Sequence, residues 1–129
     1  MSSRRAAREG LTLPAQRRLR LKSQFEAVYA RGRRVGDGFF GMIAHANDAA
    51  RPRLGLAVAT QVAGNSVQRN RIRRIIRESF RLHQHAMPPV DVVVSARARV
   101  RTATNAELRA SLDVLWEQVT QRCASLPRP

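Results

Sequence analysis

The run from Gln68 to Gln84, QRNRIRRIIRESFRLHQ, decides both the fold and the binding chemistry. At about 100° per residue, Ile72, Ile75, Ile76, Ser79 and Phe80 fall on one side. That stripe predicts an amphipathic helix packed on a sheet. Arg69, Arg73 and Arg77 form a row at i, i+4 and i+8 along the edge of the stripe. Asn70, Arg74 and Arg81 make a neighbouring row, and Arg71 lies further round, beside Glu78. Each turn rises about 5.4 Å, close to the spacing of phosphates on a nucleic-acid strand. Six arginines between Arg69 and Arg81 face a single acid, so ion pairing within the helix cannot neutralise them. Each like-charge pair at i, i+4 costs roughly a few tenths of a kcal/mol. An external polyanion is the physical reason to keep such a row, and contact with RNA or DNA is expected here.

Outward from the helix, Asn65-Ser-Val-Gln68 is a capping box that opens it. Gln61 to Gly64 reads as a loop. Before that, Arg53 to Thr60 reads as a strand with Leu54, Leu56 and Val58 on one face and Gly55, Ala57 and Ala59 on the other. The small-residue face would let a packed helix approach closely. Asn47 to Pro52 is a turn by composition, Phe39 to Ala46 a further strand, and a short extra strand is expected near Arg33–Gly36. Ser23-Gln-Phe-Glu26 is a second capping box, opening a short helix with Phe25, Val28 and Tyr29 on one side and Gly32 as its C-terminal cap. On the other flank, Pro88-Pro89 breaks the chain before a buried strand, Val90 to Ala96. Arg97 to Arg101 then carries three arginines at alternate positions. Thr104-Asn-Ala-Glu107 is a third capping box. It opens a helix with Leu108, Leu112, Leu115, Trp116 and Val119 on a core-facing stripe. Residues 1–16 are expected to be a flexible basic arm, 17–122 one RNA-binding domain, and 123–129 a short tail. The mixture predicts an α+β fold, a two-layer α/β sandwich with a small mixed sheet.

Composition supports the same chemistry. Lysine and arginine number 24 against 9 acids, a formal net charge of +15, and Lys22 is the only lysine. A charge so lopsided repels itself unless a polyanion relieves it, and the planar guanidinium fork suits paired phosphate oxygens. The lone cysteine, Cys123, excludes an intramolecular disulfide and a cysteine metal cluster, and fits a cytoplasmic location. No apolar run approaches a membrane span.

The segment Arg69 to Phe80, RNRIRRIIRESF, resembles the RNR signature helix of the bacterial ribonuclease P protein subunit family. Leu21–Gly32 resembles that family's first helix, Arg53–Ala59 the strand before the signature loop, Asp91–Arg97 the strand after it, and Leu112–Trp116 falls in its last helix. The blocks occur in the expected order over about residues 17 to 120. The resemblance implies a sandwich with a left-handed βαβ crossover, related to a domain of ribosomal and translocase proteins. It implies binding of the catalytic RNA of ribonuclease P and of the 5′ leader of precursor tRNA, whose removal the holoenzyme catalyses. Carried over residue by residue, the signature-helix contacts are Arg69, Asn70, Arg71, Arg73, Arg74 and Arg77. Arg97 and Arg99 join them as expected RNA contacts. The leader cleft would draw on Phe25, Tyr29 and Phe40, whose rings could stack on unpaired bases; plain packing of the first helix is the other reading of Phe25 and Tyr29. One departure stands out: where many members carry a pair of lysines after Ala59, this chain has Thr60 and Gln61.

No catalytic residue is expected in the chain itself. Phosphodiester hydrolysis needs clamped metal ions or acid–base pairs, and the nine acids are scattered. His45, His83 and His85 show no ligand spacing, and no GxxxxGK[ST] phosphate loop occurs. The resemblance implies that catalysis belongs to the RNA, with magnesium held mainly there and no cofactor bound by the protein. The expected partners are the catalytic RNA and precursor tRNA, with no membrane and no obligate protein partner. A ribosomal or ribosome-assembly protein of similar charge is the alternative. A DNA-binding helix-turn-helix module is disfavoured, because Pro88-Pro89 and a strand follow the basic helix rather than a second helix.

Overall fold

The computed structural model describes residues 18–19 and 22–124. The arm expected over 1–16 and residues 125–129 of the expected tail lie outside them. The elements run α1 (Lys22–Arg31), β1 (Arg33–Gly36), β2 (Phe40–Ala46), β3 (Arg53–Ala57), α2 (Thr60–Ala63), α3 (Ser66–His83), β4 (Val90–Ala96) and α4 (Asn105–Ala124). Single 3₁₀ turns, Gln84–Ala86 and Ala98–Arg101, precede and follow β4. The four strands form one mixed sheet in the order β1-β2-β4-β3. β1–β2 and β2–β4 are antiparallel, while β3 and β4 are parallel neighbours joined through α2 and α3.

Alternation along the strands divides the interior. Phe40, Met42, Ala44, Leu54, Val90, Val92 and Val94 face one way and pack under α3 and α4. Ile72, Ile75, Ile76, Ser79 and Phe80 of α3 are all buried, as the stripe requires. Leu108, Leu112, Leu115, Trp116 and Val119 of α4 are buried with them. Ser79 is polar in this core because Trp116 needs an acceptor: the indole Nε1 donates to Ser79 Oγ at 2.7 Å. The Phe80 ring meets Trp116 edge to face, 5.6 Å between centroids. On the opposite face, Ile43 and Val93 pack with Val28 of α1 and with Leu19. The sheet and α3–α4 are the two layers of the sandwich, and the short α1 covers part of the remaining face.

Gly55 explains how α1 comes so close. Its missing side chain leaves room for a ring, since a Cβ there would sit 2.7 Å from Phe25 Cε1 and 3.1 Å from Leu19 Cδ1. Gly32 ends α1 as expected, its N–H donating to Val28 O at 2.7 Å.

The three capping boxes fared differently. Thr104 and Glu107 form the full reciprocal pair, Glu107 N–H to Thr104 Oγ1 at 3.1 Å and Thr104 N–H to Glu107 Oε1 at 3.2 Å. Asn65 caps α3 by accepting from Gln68 N–H at 2.8 Å, but the Gln68 side chain turns away to Arg71. Ser23 is not a cap, because α1 already begins at Lys22. The strand expected to reach Thr60 stops at Ala57, and Thr60–Ala63 coils into one helical turn rather than a loop. The turn closes with Ala63 N–H on Ala59 O and Gly64 N–H on Thr60 O, and Gly64 leaves it at φ 110°.

Two measurements check this packing. Gly55→Ala should destabilise the fold by about 1–3 kcal/mol through overpacking, read as a lowered urea midpoint, and Phe25→Ala in the same chain should recover part of that loss. Ser79→Ala should cost about 1–3 kcal/mol by leaving the buried indole N–H without an acceptor, where a neutral result would show that another group replaces the hydroxyl.

Candidate nucleic-acid interface

Burying the isoleucine stripe of α3 turns its arginines to the rim and outer side of the helix. Asn70 and Arg74 are exposed, while Arg69, Arg71, Arg73 and Arg77 are half-buried at the rim. The one acid of the helix, Glu78, lies 3.7 Å from Arg109 of α4 and so pairs across the helices. The arginines of α3 therefore have no carboxylate partner among the described residues.

Arg73 and Arg77 line an open cleft of about 240 Å³ along the outer edge of β3. Arg18, Leu19, Phe25, Leu54 and Leu56 complete its lining. Three guanidinium groups thus stand over an apolar and aromatic floor. Burial pushes the Arg73 guanidinium below the ordinary arginine range, and Arg69 adds to the effect. Arg77 is lowered likewise, first by burial and then by Arg73 and Arg18. Arginine stays charged despite such shifts, so two partly desolvated cations are held close to other cations. Arg73 Nε is also buried without a hydrogen-bond partner. An anion in the cleft would relieve both the repulsion and the orphaned donor.

The remaining arginines fall into distinct settings. Arg53 is neutralised internally by Asp91, Nε to Oδ1 at 2.7 Å and Nη2 to Oδ2 at 2.9 Å, with Asn47 Nδ2 also donating to Oδ1 at 2.8 Å. The hydrogen bond that Arg53 donates to Asp91 raises the Arg53 pKa above its ordinary value. Arg69 donates Nε to the Val58 carbonyl at 2.7 Å, which orients the guanidinium without using its outer nitrogens. Each nitrogen of Arg71 is engaged within the protein: Nε to Gln68 Oε1 at 2.8 Å, Nη1 to Asn105 Oδ1 at 2.6 Å and Nη2 to Val100 O at 3.2 Å. The sequence-based expectation of an RNA contact at Arg71 thus meets a residue already engaged in bracing α3 against the start of α4. Arg97, just before the 3₁₀ turn after β4, and Arg99 on that turn are both exposed, and the Arg99 guanidinium lies 4.9 Å above the Phe39 ring.

The expected aromatic cleft is corrected in part. Phe25 lines the cleft and also packs on Gly55, so both readings of that residue hold together. Tyr29 is 46% exposed and does not line the cleft. Phe40 is removed from the site: it is fully buried among the residues under α3 and α4, because the even-numbered positions of β2 face that layer. Its neighbour Phe39 is the one that meets an arginine. Sequence reasoning also passed over Arg101, whose Nε donates to Val62 O at 2.8 Å and whose Nη2 donates to Gln61 O. Its signal was available, as the third member of the alternating run 97, 99, 101.

Among the described residues no group of three or more His, Cys, Asp or Glu side chains is placed to hold a metal ion, and no helix is long and apolar enough to cross a membrane. His83 bridges α3 and α4, with Nδ1 2.8 Å from Ser79 O and Nε2 3.4 Å from Asp113.

A family model described as Ribonuclease P matches residues 13–120. The ribonuclease P protein component of Thioalkalivibrio sulfidiphilus is 38% identical over 112 residues, covering 87% of this chain and 93% of that protein. The ribonuclease P protein component of Pseudoalteromonas translucida is 35% identical over 113 residues, covering 87% and 81%. Among solved structures, a Staphylococcus aureus RNase P protein mutant with defective mRNA degradation activity superposes with a TM-score of 0.75 at 29% identity, covering 79% of this chain and 86% of that one. The RNase P protein from Thermotoga maritima superposes with a TM-score of 0.70 at 26% identity, covering 78% and 96%. Sequence and fold converge, and the chain belongs to the ribonuclease P protein component family.

Proposed function

We propose that this chain binds the catalytic RNA of ribonuclease P and the 5′ leader of precursor tRNA, and so assists endonucleolytic removal of the leader in the cytoplasm. The observation that carries this reading is the cleft beside α3, where Arg18, Arg73 and Arg77 stand over an apolar floor with no carboxylate partner among the described residues. A single strand fits such a place: phosphates meet the guanidinium rim and unpaired bases meet Phe25 and the leucines. The exposed Asn70 and Arg74 on α3, with Arg97 and Arg99 after β4, offer further contacts. Cleavage itself is assigned to the RNA subunit with magnesium. The protein contributes charge and positioning, which raise affinity and rate without a protein nucleophile.

Reconstitution tests the reading. Mixed with a bacterial ribonuclease P RNA at low magnesium, the protein should stimulate precursor-tRNA cleavage; no stimulation over the RNA alone would favour a purely ribosomal role. Changing Arg69, Arg73 and Arg77 together to Ala should weaken RNA binding. It should also flatten the plot of log affinity against log salt, by roughly one unit per lost phosphate contact. Unaltered affinity and slope would remove α3 from the interface. The braced and free arginines should separate in the isolated protein. Arg71→Ala should lower unfolding stability by about 1–2 kcal/mol through its lost hydrogen bonds. Arg74→Ala should leave stability within about 0.5 kcal/mol while still weakening RNA binding.

A further inference from the structure

The fifteen residues from Leu54 to Gln68 contain no charged side chain. They make up most of β3, all of α2 and the entry to α3, so the junction beside the cleft has no cation of its own. One is delivered from elsewhere in the chain. Arg101, at the end of the 3₁₀ turn after β4, reaches across to α2 and donates to the carbonyls of Gln61 and Val62. Its stem lies against Gly64, where a Cβ would come within 3.6 Å of Arg101 Nε and 3.7 Å of its Cδ.

Those carbonyls belong to the last turn of a one-turn helix and have no partner within it. The guanidinium satisfies them and is fixed in place by doing so. Its remaining nitrogen, Nη1, has no partner among the described residues, and no carboxylate lies in ion-pair range. The residue is exposed. The turn that carries it is held from the other side as well, because Arg71 of α3 donates to Val100 O. Arg101 is thus a positive charge with a defined position relative to α3, and the cost of immobilising it is already met in the free protein.

We infer that Arg101 contacts a phosphodiester of RNA, lending its charge to α2 and extending the positive surface of α3 across a junction that lacks charge in sequence. This rests on the RNA-binding reading above. The phosphodiester can come from the catalytic RNA or from the precursor leader, and the chemistry of recognition is the same.

The test uses the full chain with a bacterial ribonuclease P RNA, a precursor tRNA with its 5′ leader, and the same tRNA without the leader. Arg101→Ala should weaken binding about five- to tenfold at moderate salt and reduce the salt slope by close to one unit. Gln61→Lys, added to Arg101→Ala, returns a cation to the same turn from α2 itself and should restore the slope and most of the affinity. A residue that only braced α2 would behave otherwise. Its loss would lower the unfolding midpoint, leave the salt slope intact and gain nothing from Gln61→Lys, and that result overturns the inference. Should Arg101→Ala fail to fold, Arg101→Gln keeps an amide donor for the carbonyls and removes the charge, and carries the same comparison. A loss seen with catalytic RNA alone assigns the contact to that RNA. A loss seen only when the leader is present assigns it to the leader. If the unaltered protein shows no salt-dependent RNA binding, the functional reading itself falls, an outcome distinct from an unaltered protein that binds and an Arg101→Ala protein that matches it.

Discussion

The fold depends on α3 burying Ile72, Ile75, Ile76 and Phe80 against the sheet while the same helix carries six arginines and a single acid. The two demands are coupled. Burying an aliphatic side chain fully contributes about 1.5–3 kcal/mol, whereas each like-charge pair on the helix costs roughly a few tenths. Packing therefore wins, and the helix is held down regardless of its self-repulsion. The arginines can crowd together because the core, not their own interactions, decides where the helix lies. The strain of that crowding is available to whatever anion relieves it.

What the arginines do then depends on what each finds within reach. Arg53 meets a carboxylate on a neighbouring strand, and its charge is cancelled inside the protein. Arg69, Arg71 and Arg101 meet backbone carbonyls, which fix a guanidinium without neutralising it. Arg73 and Arg77 meet other guanidiniums and a hydrophobic floor. Only the first kind reduces the net charge. The second kind converts flexible cations into placed ones, and since an ordered side chain loses less freedom on binding, such a surface favours a ligand whose charges are spaced to match. Net charge alone would attract any polyanion; the carbonyl contacts restrict which geometry it best accommodates.

Much of this was legible in the sequence because it depends on local periodicity. The isoleucine stripe, the stripe of α4 around Trp116, the cap at Asn65, the box at Thr104, and the small-residue face at Gly55 all follow from spacing that neighbouring residues alone determine. What was illegible depends on partners distant in the chain. Phe40 sits in a segment of poor alternation, and only its pairing with Ala96 of β4 sets which face its ring occupies. The bracing role of Arg71 requires Val100 and Asn105, about thirty residues away, and that of Arg101 requires Gln61 and Val62. A count of charges cannot distinguish a bound arginine from a free one. Ser23 failed for a different reason: capping boxes are short, and a helix that starts two residues earlier, at Lys22 rather than Gln24, moves the cap off the motif.

The departure at Thr60 and Gln61 takes on a different meaning once the chain is folded. Read along the sequence, the exchange of two cations for neutral residues weakens the positive surface beside the cleft. Read in space, the same turn carries the guanidinium of Arg101 on its carbonyls. Coulombic attraction depends on where a charge sits, not on which residue number bears it. A short helix with unsatisfied carbonyls is a natural acceptor for a guanidinium from an adjacent loop, because the fork can bridge two oxygens where an ammonium would have no such planar match. The almost exclusive use of arginine over lysine in this chain fits that requirement: a cation that must be both anchored to backbone and left charged toward a partner needs more than one donor direction, and arginine supplies it.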